Sequence, residues 1–303
     1  MVSEGTEEQF YCAEQAREAG DPLEGTATEA KVWLLLEYSA AWRKKATTDN
    51  DLPGGVQDFL NQQLSAIPGA RLLFIRQPGA AHERLSFFVV RTDETAPQLF
   101  EYKLDTYEDL TVLDVASAAA GDAESQFRRE SPLFLICGNG RRDKCCARFG
   151  LPAYEALREQ QPQATWLSTH IGGHRYAPTV LFLPHSVNYG FLDPAQMGAA
   201  AEALLNGRLY DLDNYRGRTH YAPAVQAADA FLRRELNLLD LDALRLQDSQ
   251  QVEEALWRVR FETAPGGETH DVLLQAEVSE EPLLVSCNTP AAKPAVRFRR
   301  VDQ

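Results

Sequence analysis

Three cysteines and two histidines stand close enough along this chain to share one chemistry. Cys137, Cys145 and Cys146 lie in LICGNGRRDKCCARFG, and His170 and His174 follow in STHIGGHRYAP. Thiolate sulfur and neutral imidazole nitrogen are the donors that thiophilic metals and iron-sulfur centres take. Adjacent Cys145 and Cys146 cannot both point at one centre without awkward backbone geometry. On a helix His170 and His174 would share a face, but Gly172 and Gly173 would each cost about 1 kcal/mol there. With Pro178 soon after, a Gly-rich loop following a strand is expected.

Residue types alone leave several readings open. Zinc takes two cysteines and two histidines, yet structural fingers usually space the cysteines two to four apart, and Cys137 to Cys146 is wider. A thiol-redox protein using Cys145 and Cys146, beside Lys144 and Arg148, is a second reading, although a Cys-x-x-Cys motif is absent. The plainest reading is a thiol-bearing loop with satisfied core histidines. His185 and His220 read as surface or hydrogen-bonded histidines, and Cys12 and Cys287 as small buried hydrophobes.

LICGNGRRDKCCARFG followed by STHIGGHRYAPTVLFLP resembles the sucrase/ferredoxin-like family, relatives of the thioredoxin-like 2Fe-2S ferredoxins, most strongly over about 131–191. The resemblance implies a 2Fe-2S cluster with Cys137 and Cys146 on one iron and His170 and His174 on the other. The family's Arg-Asp-x-x-Cys element appears as Arg142-Asp143-Lys144-Cys145-Cys146, which makes Cys145 a spare thiol, and Ala147 stands where a glycine often follows. Replacing two anionic thiolates by two neutral imidazoles lowers the negative charge on a cluster and raises its potential, and an imidazole N–H can couple electron gain to proton gain. The resemblance therefore implies an electron carrier of raised, pH-dependent potential rather than an enzyme. No flavin or nicotinamide fingerprint and no opposed pair of carboxylates for glycoside hydrolysis stands out.

The elements that must position these residues follow from apolar patterning. Glu7 to Ala19 reads as a short helix, KVWLLLEYS (31–39) as a buried central strand, GGVQDFLNQQLSAI as a helix closed by Pro68 and Gly69, and 70–77, 85–91 and 99–104 as strands. The order recurs in the strand PLFLIC, a helix over LPAYEALREQ with Pro152 near its first turn, and strands in ATWLSTH, PTVLFLP and NYGFL. Superposing the two runs sets Leu34 on Leu133, Leu72 on Trp166 and Phe88 on Leu181. Cys137 then falls opposite Glu37 or Tyr38 and His170 opposite Arg76, so only the second unit offers soft donors. With the resemblance, the expectation is an α/β chain of tandem thioredoxin-like units, 1–119 without ligands and 120–220 ferredoxin-like, with a polar linker at 119–131. A small α+β extension over 221–303 completes it, with a helix at 222–236 and alternating strands from Trp257; Tyr215 to Arg218 reads as a polar loop.

Length and charge bound the partners. The 303 residues suit about two domains, and 44% hydrophobic content supports ordinary cores. Thirty Lys and Arg against 44 Asp and Glu leave a net charge of -14, which repels nucleic acid and anionic membrane. No apolar run approaches the roughly 20 residues that cross a bilayer. The polar, acidic start lacks the pattern of a secretory signal, and five cysteines are too few and uneven for a disulfide scaffold, so a cytoplasmic protein is expected. Against this background Arg141, Arg142, Lys144, Arg148 and Arg175 reverse the sign around the candidate ligands, which suggests docking of an acidic redox partner.

Overall fold

VWLLLE is buried along its whole length because this strand is central and parallel to a neighbour, with both of its faces covered. In the computed structural model, which describes residues 10–279 and 283–301, it is β1 (Val32–Glu37) of one curled, mixed nine-stranded sheet. The other strands are β2 (Ala70–Arg76), β3 (Leu85–Arg91), β4 (Gln98–Leu104), β5 (Leu133–Cys137), β6 (Thr165–Ser168), β7 (Val180–Leu183), β8 (Val187–Tyr189) and β9 (Tyr215–Arg218). Their order is β4-β3-β1-β2-β6-β5-β7-β8-β9. The protein is α/β, and the strand order of the first four repeats in the next four. β1 pairs parallel with β2 and antiparallel with β3, as β5 does with β6 and β7. The halves share one sheet, joined where β2 and β6 pair antiparallel through Ile75 with Ser168 and Arg76 with Leu167.

Register corrects the superposition read from sequence by one residue in two of its three pairs. Glu37 ends β1 opposite Ile75, and Cys137 ends β5 opposite Ser168, so Leu34 corresponds to Phe134 and Leu73 to Trp166. Phe88 and Leu181 do correspond, since they face Leu35 and Leu135. His170 thereby falls opposite Gln77 rather than Arg76. The slip matters because a shift of one residue turns every side chain to the other face. Val32, Leu34, Leu36, Phe134 and Ile136 lie in the layer shared with the helices α2 (Gly54–Ala66), α3 (Val115–Ala120), α4 (Lys144–Gln160) and α5 (Met197–Leu205). Trp33, Leu35, Leu133, Leu135, Cys137 and Trp166 form the opposite layer, where the curl brings both halves together.

The chain ends in α6 (Pro223–Leu236) packed on an antiparallel sheet of β10 (Leu244–Glu253), β11 (Leu256–Thr263), β12 (Thr269–Val278) and β15 (Val296–Val301), with a hairpin of β13 (Leu283–Ser286) and β14 (Thr289–Lys293). β10 begins before the expected first strand at Trp257; as a largely exposed edge strand it has too few apolar residues to show an alternation. The first described helix is α1 (Cys12–Glu18); Glu7 lies outside the described residues. Tyr215–Arg218 is a fully buried strand and not a polar loop, because Tyr215 donates to the buried Asp229 carboxylate and both arginines find internal acceptors. The polar 119–131 segment includes a short turn at Ser125–Phe127.

The helix after β5 starts at Lys144, two turns before the sequence reading placed it, so Pro152 lies inside it. Asp143 starts it by accepting the Cys145 N–H at 3.0 Å. Gly150 lets α4 lie against the end of β5, since a Cβ there would stand 2.1 Å from the Cys137 carbonyl oxygen. Gly150→Ala is therefore expected to push α4 from Cys137 and to cost about 1–3 kcal/mol of stability. An unchanged denaturation midpoint would contradict that close approach.

Candidate metal centre

Strand β5 delivers Cys137 at its last residue, and the first turn of α4 delivers Cys146, both almost wholly buried. The turn separates the vicinal thiols. Cys146 faces Cys137 and His170, whereas Cys145 faces Cys12 and Cys287. Beyond β6 the Thr169 hydroxyl oxygen accepts the Phe74 N–H at 3.0 Å, and the next residue is His170. His170 Nδ1 lies 3.8 Å from the sulfurs of both Cys137 and Cys146. Gly172 and Gly173, both at positive φ, then turn the chain into a single helical turn at His174–Tyr176. His174 Nδ1 stands 3.2 Å from His170 Nε2, so one of these nitrogens donates to the other. The four residues named from the resemblance are thus brought together.

Their electrostatics favour one anionic sulfur, that of Cys137. A hydrogen bond from Cys146 holds the Cys137 thiol well below its ordinary range despite burial, and His170 adds to the effect. The same bond, with burial, holds Cys146 well above that range. Burial also lowers His174, keeping its imidazole neutral and able to donate an electron pair. Its Nε2 is 3.6 Å from Asp143 Oδ2, an ion-pair distance too long for a direct hydrogen bond. Burial alone would raise the Asp143 carboxyl, but the Cys145 N–H and the Ser286 hydroxyl outweigh it and hold the group below its ordinary value.

Arg216, which the sequence places in a polar loop, packs behind the histidine loop instead. It is 1% exposed, and burial pushes its guanidinium down to about 10. It donates to the Thr26 hydroxyl at 3.0 Å and to the Gly172 carbonyl at 3.1 Å, and it bonds the Thr26 carbonyl as well. These bonds pin the histidine loop. They also leave a buried cation satisfied by neutral oxygens, near enough to Cys137 for a thiolate to stabilise it. The alternating Arg and Gly on a strand after NYGFL was the available signal, hidden by its polarity.

The expected cationic patch is redistributed. Arg141, Lys144 and Arg148 are exposed, but Arg175 is 12% exposed and paired with the buried Asp21 at 3.0 Å, so it does not face a partner. Lys44, Lys45, Arg71 and Arg142 instead line a cleft of about 310 Å³ that reaches His170. At the equivalent place in the first half, Glu37 accepts the Ser86 N–H at 2.9 Å and pairs with His82 at 2.6 Å, a carboxylate beside imidazole where the second half has thiols. His220 is half-buried against the Ser186 hydroxyl at 2.8 Å, and desolvation drives it down to about 2.

Fold and site together define an α/β protein in which two buried thiols, from the end of β5 and the first turn of α4, meet two adjoining imidazoles from the loop after β6. Residues 23–217 match the family described as sucrase/ferredoxin-like, and the chain belongs to that family. It is also similar to proteins called altered inheritance of mitochondria protein 32. That of Clavispora lusitaniae is 38% identical over 96 residues, 29% of this chain and 35% of the relative. That of Meyerozyma guilliermondii is 30% identical over 95 residues, 28% of this chain and 34% of the relative. The Saccharomyces cerevisiae protein is 25% identical over 224 residues, 59% of this chain and 72% of its own length. The matches thus span about a third of the first two relatives. No solved structure matches the chain.

Arg216→Met should strand the Gly172 and Thr26 carbonyls at about 1–3 kcal/mol each. Loss of stability with faster amide exchange at 171–175 is expected. Unaltered exchange in that loop would show that Arg216 does not hold it.

Proposed function

We propose that this protein is an electron carrier whose Cys137, Cys146, His170 and His174 hold a 2Fe-2S cluster. The observation that supports the proposal is the bridging position of His170. Its Nδ1 lies 3.8 Å from the sulfurs of both Cys137 and Cys146 and its Nε2 lies 3.2 Å from His174, so His174 adjoins that triad only through His170. A structural zinc closes four protein donors around one point, whereas a two-iron centre spreads its ligands over two metals. Bound there, the cluster would supply one-electron chemistry at a potential raised by neutral imidazole ligation.

The protein's own groups have distinct tasks in this reading. Arg216 offsets negative charge from the buried side, Trp166 and Ile171 exclude water around the sulfurs, and His170 opens on the cationic cleft. A ligating imidazole keeps one ionisable N–H, which would be given up in the oxidised centre and regained as the centre gains an electron. The cleft favours an acidic redox partner, with Lys44, Lys45, Arg71 and Arg142 as its contacts. A redox couple of the vicinal thiols is disfavoured, because Cys145 and Cys146 belong to opposite groups. The name shared by the yeast relatives speaks of mitochondrial inheritance, which describes a process rather than a chemistry.

The purified protein should be brown, contain iron and sulfide in equal amount and give an electron paramagnetic resonance signal on reduction. Cys137→Ser and Cys146→Ser should each abolish the colour while Cys145→Ser keeps it; a colourless chain whose zinc disappears in Cys137→Ser would overturn the proposal. His170→Cys or His174→Cys should retain a cluster of lower potential and weaker pH dependence, because added thiolate charge opposes reduction. Potentials independent of pH in the wild type would refute proton coupling.

Charge reversal at Lys44 and Lys45 should slow electron transfer to an acidic protein, with the loss shrinking as salt rises. Equal rates with acidic and basic partners would remove the cleft from the proposal.

A further inference from the structure

We infer that Cys12, Cys145, Cys287 and Asp143 form a second metal site, a tetrahedral three-sulfur, one-oxygen pocket for Zn²⁺. The three thiols come from α1, the first turn of α4 and the turn between β13 and β14, yet their sulfurs form a closed triangle. Cys12 to Cys145 is 3.5 Å, Cys145 to Cys287 is 3.3 Å and Cys12 to Cys287 is 3.6 Å. All three are free cysteines. A point about 2.3 Å from each sulfur, the zinc–thiolate length, lies about 1.1 Å out of their plane with S–Zn–S angles near 98°. A modest outward movement of the sulfurs brings these angles to tetrahedral values.

Asp143 supplies the fourth donor. Its side chain is fully buried, and Oδ1 lies 3.9 Å from the Cys12 sulfur. Ser286 Oγ and the Cys287 N–H donate to Oδ2 at 2.8 and 2.9 Å, while Oδ1 accepts the Cys145 N–H and faces the Cys12 thiol, whose contact a metal bond would replace. The Cys12 N–H donates to the Cys287 sulfur at 3.3 Å, an outer hydrogen bond of the kind that orients a metal ligand. Ala13, Ala16, Leu23, Tyr176 and Phe191 wall the group with apolar surface, and only Cys287 is partly open to solvent.

All four donor atoms lie within 4.8 Å of one another, so they converge on one ion, whereas the group at His170 brings three donors that close. Three sulfurs with one carboxylate oxygen suit zinc better than copper(I), whose preference is for soft donors alone. As three Zn–S bonds form, the three thiols release their protons to solvent, and no electron is exchanged. The ion would clamp segments 133, 142 and 275 residues apart. It would also fix Asp143, and through it the position of His174.

The test is elemental analysis of the full-length chain, isolated without oxygen, with iron and zinc measured together. One zinc per chain is expected, retained in Cys137→Ser and Cys146→Ser and lost in Cys145→Ser and Cys287→Ser. Zinc-edge absorption on the wild type should count three sulfurs and one oxygen, a readout that does not depend on a variant folding. Zinc that follows Cys137 and Cys146 instead, a wild type that takes up no zinc, or an intramolecular disulfide among the three cysteines would each overturn the site. Iron and sulfide report separately on the cluster. Their absence beside zinc at Cys12 and Cys145 would sink the electron-carrier proposal alone.

Discussion

A carboxylate with no exposed side-chain surface is tolerable only where donors surround it, and Asp143 gathers its donors from across the chain. The Cys145 N–H comes from the helix that Asp143 itself caps, and the Ser286 hydroxyl and Cys287 N–H come from the C-terminal hairpin. His174 stands at the same carboxylate from the loop after β6. Satisfying this one charge therefore sets where α4 begins, which way each vicinal thiol points, and where the hairpin and the histidine loop must sit. The cap is sequence-local; everything that follows from it is not.

That contrast explains what the sequence could show. Cys137, Cys146, His170 and His174 were singled out by a family resemblance carried by two short motifs, whereas donor type and spacing alone left several readings open. VWLLLE and LFLIC announce themselves as central strands because their apolar runs are continuous. Arg216 was not legible, because a buried arginine is satisfied by oxygens at Thr26 and Gly172, distant in sequence. Cys12 and Cys287 looked like lone thiols, since only the folded hairpin and α1 bring them beside Cys145. The helix starts earlier than its proline suggests because the Asp143 cap lies nine residues before Pro152.

The two halves of the sheet show how one framework supports different chemistry at equivalent places. Strand ends at Glu37 and Cys137 are matched by register, and each is followed across the neighbouring strand by a loop carrying histidine. In the first half the carboxylate and His82 satisfy each other, which closes the arrangement. In the second, sulfur replaces carboxylate and the glycine pair lets two imidazoles crowd together. The difference lies in the side chains and the loop, while the backbone order is common to both.

The seam between β2 and β6 carries a further meaning. By register Ile75 and Ser168 are equivalent positions, and they are also partners across the seam; Arg76 pairs with Leu167, and the Thr169 N–H donates to the Phe74 carbonyl on the other side. Each residue thus meets the counterpart of its own mirror position, the self-complementary pattern that a two-fold axis imposes on a homodimer. An exposed strand edge invites such pairing, and within one chain the partner edge is always at hand. In a two-fold dimer every substitution would appear twice, whereas within a single chain the two halves can differ at matched positions, as Glu37 and Cys137 do.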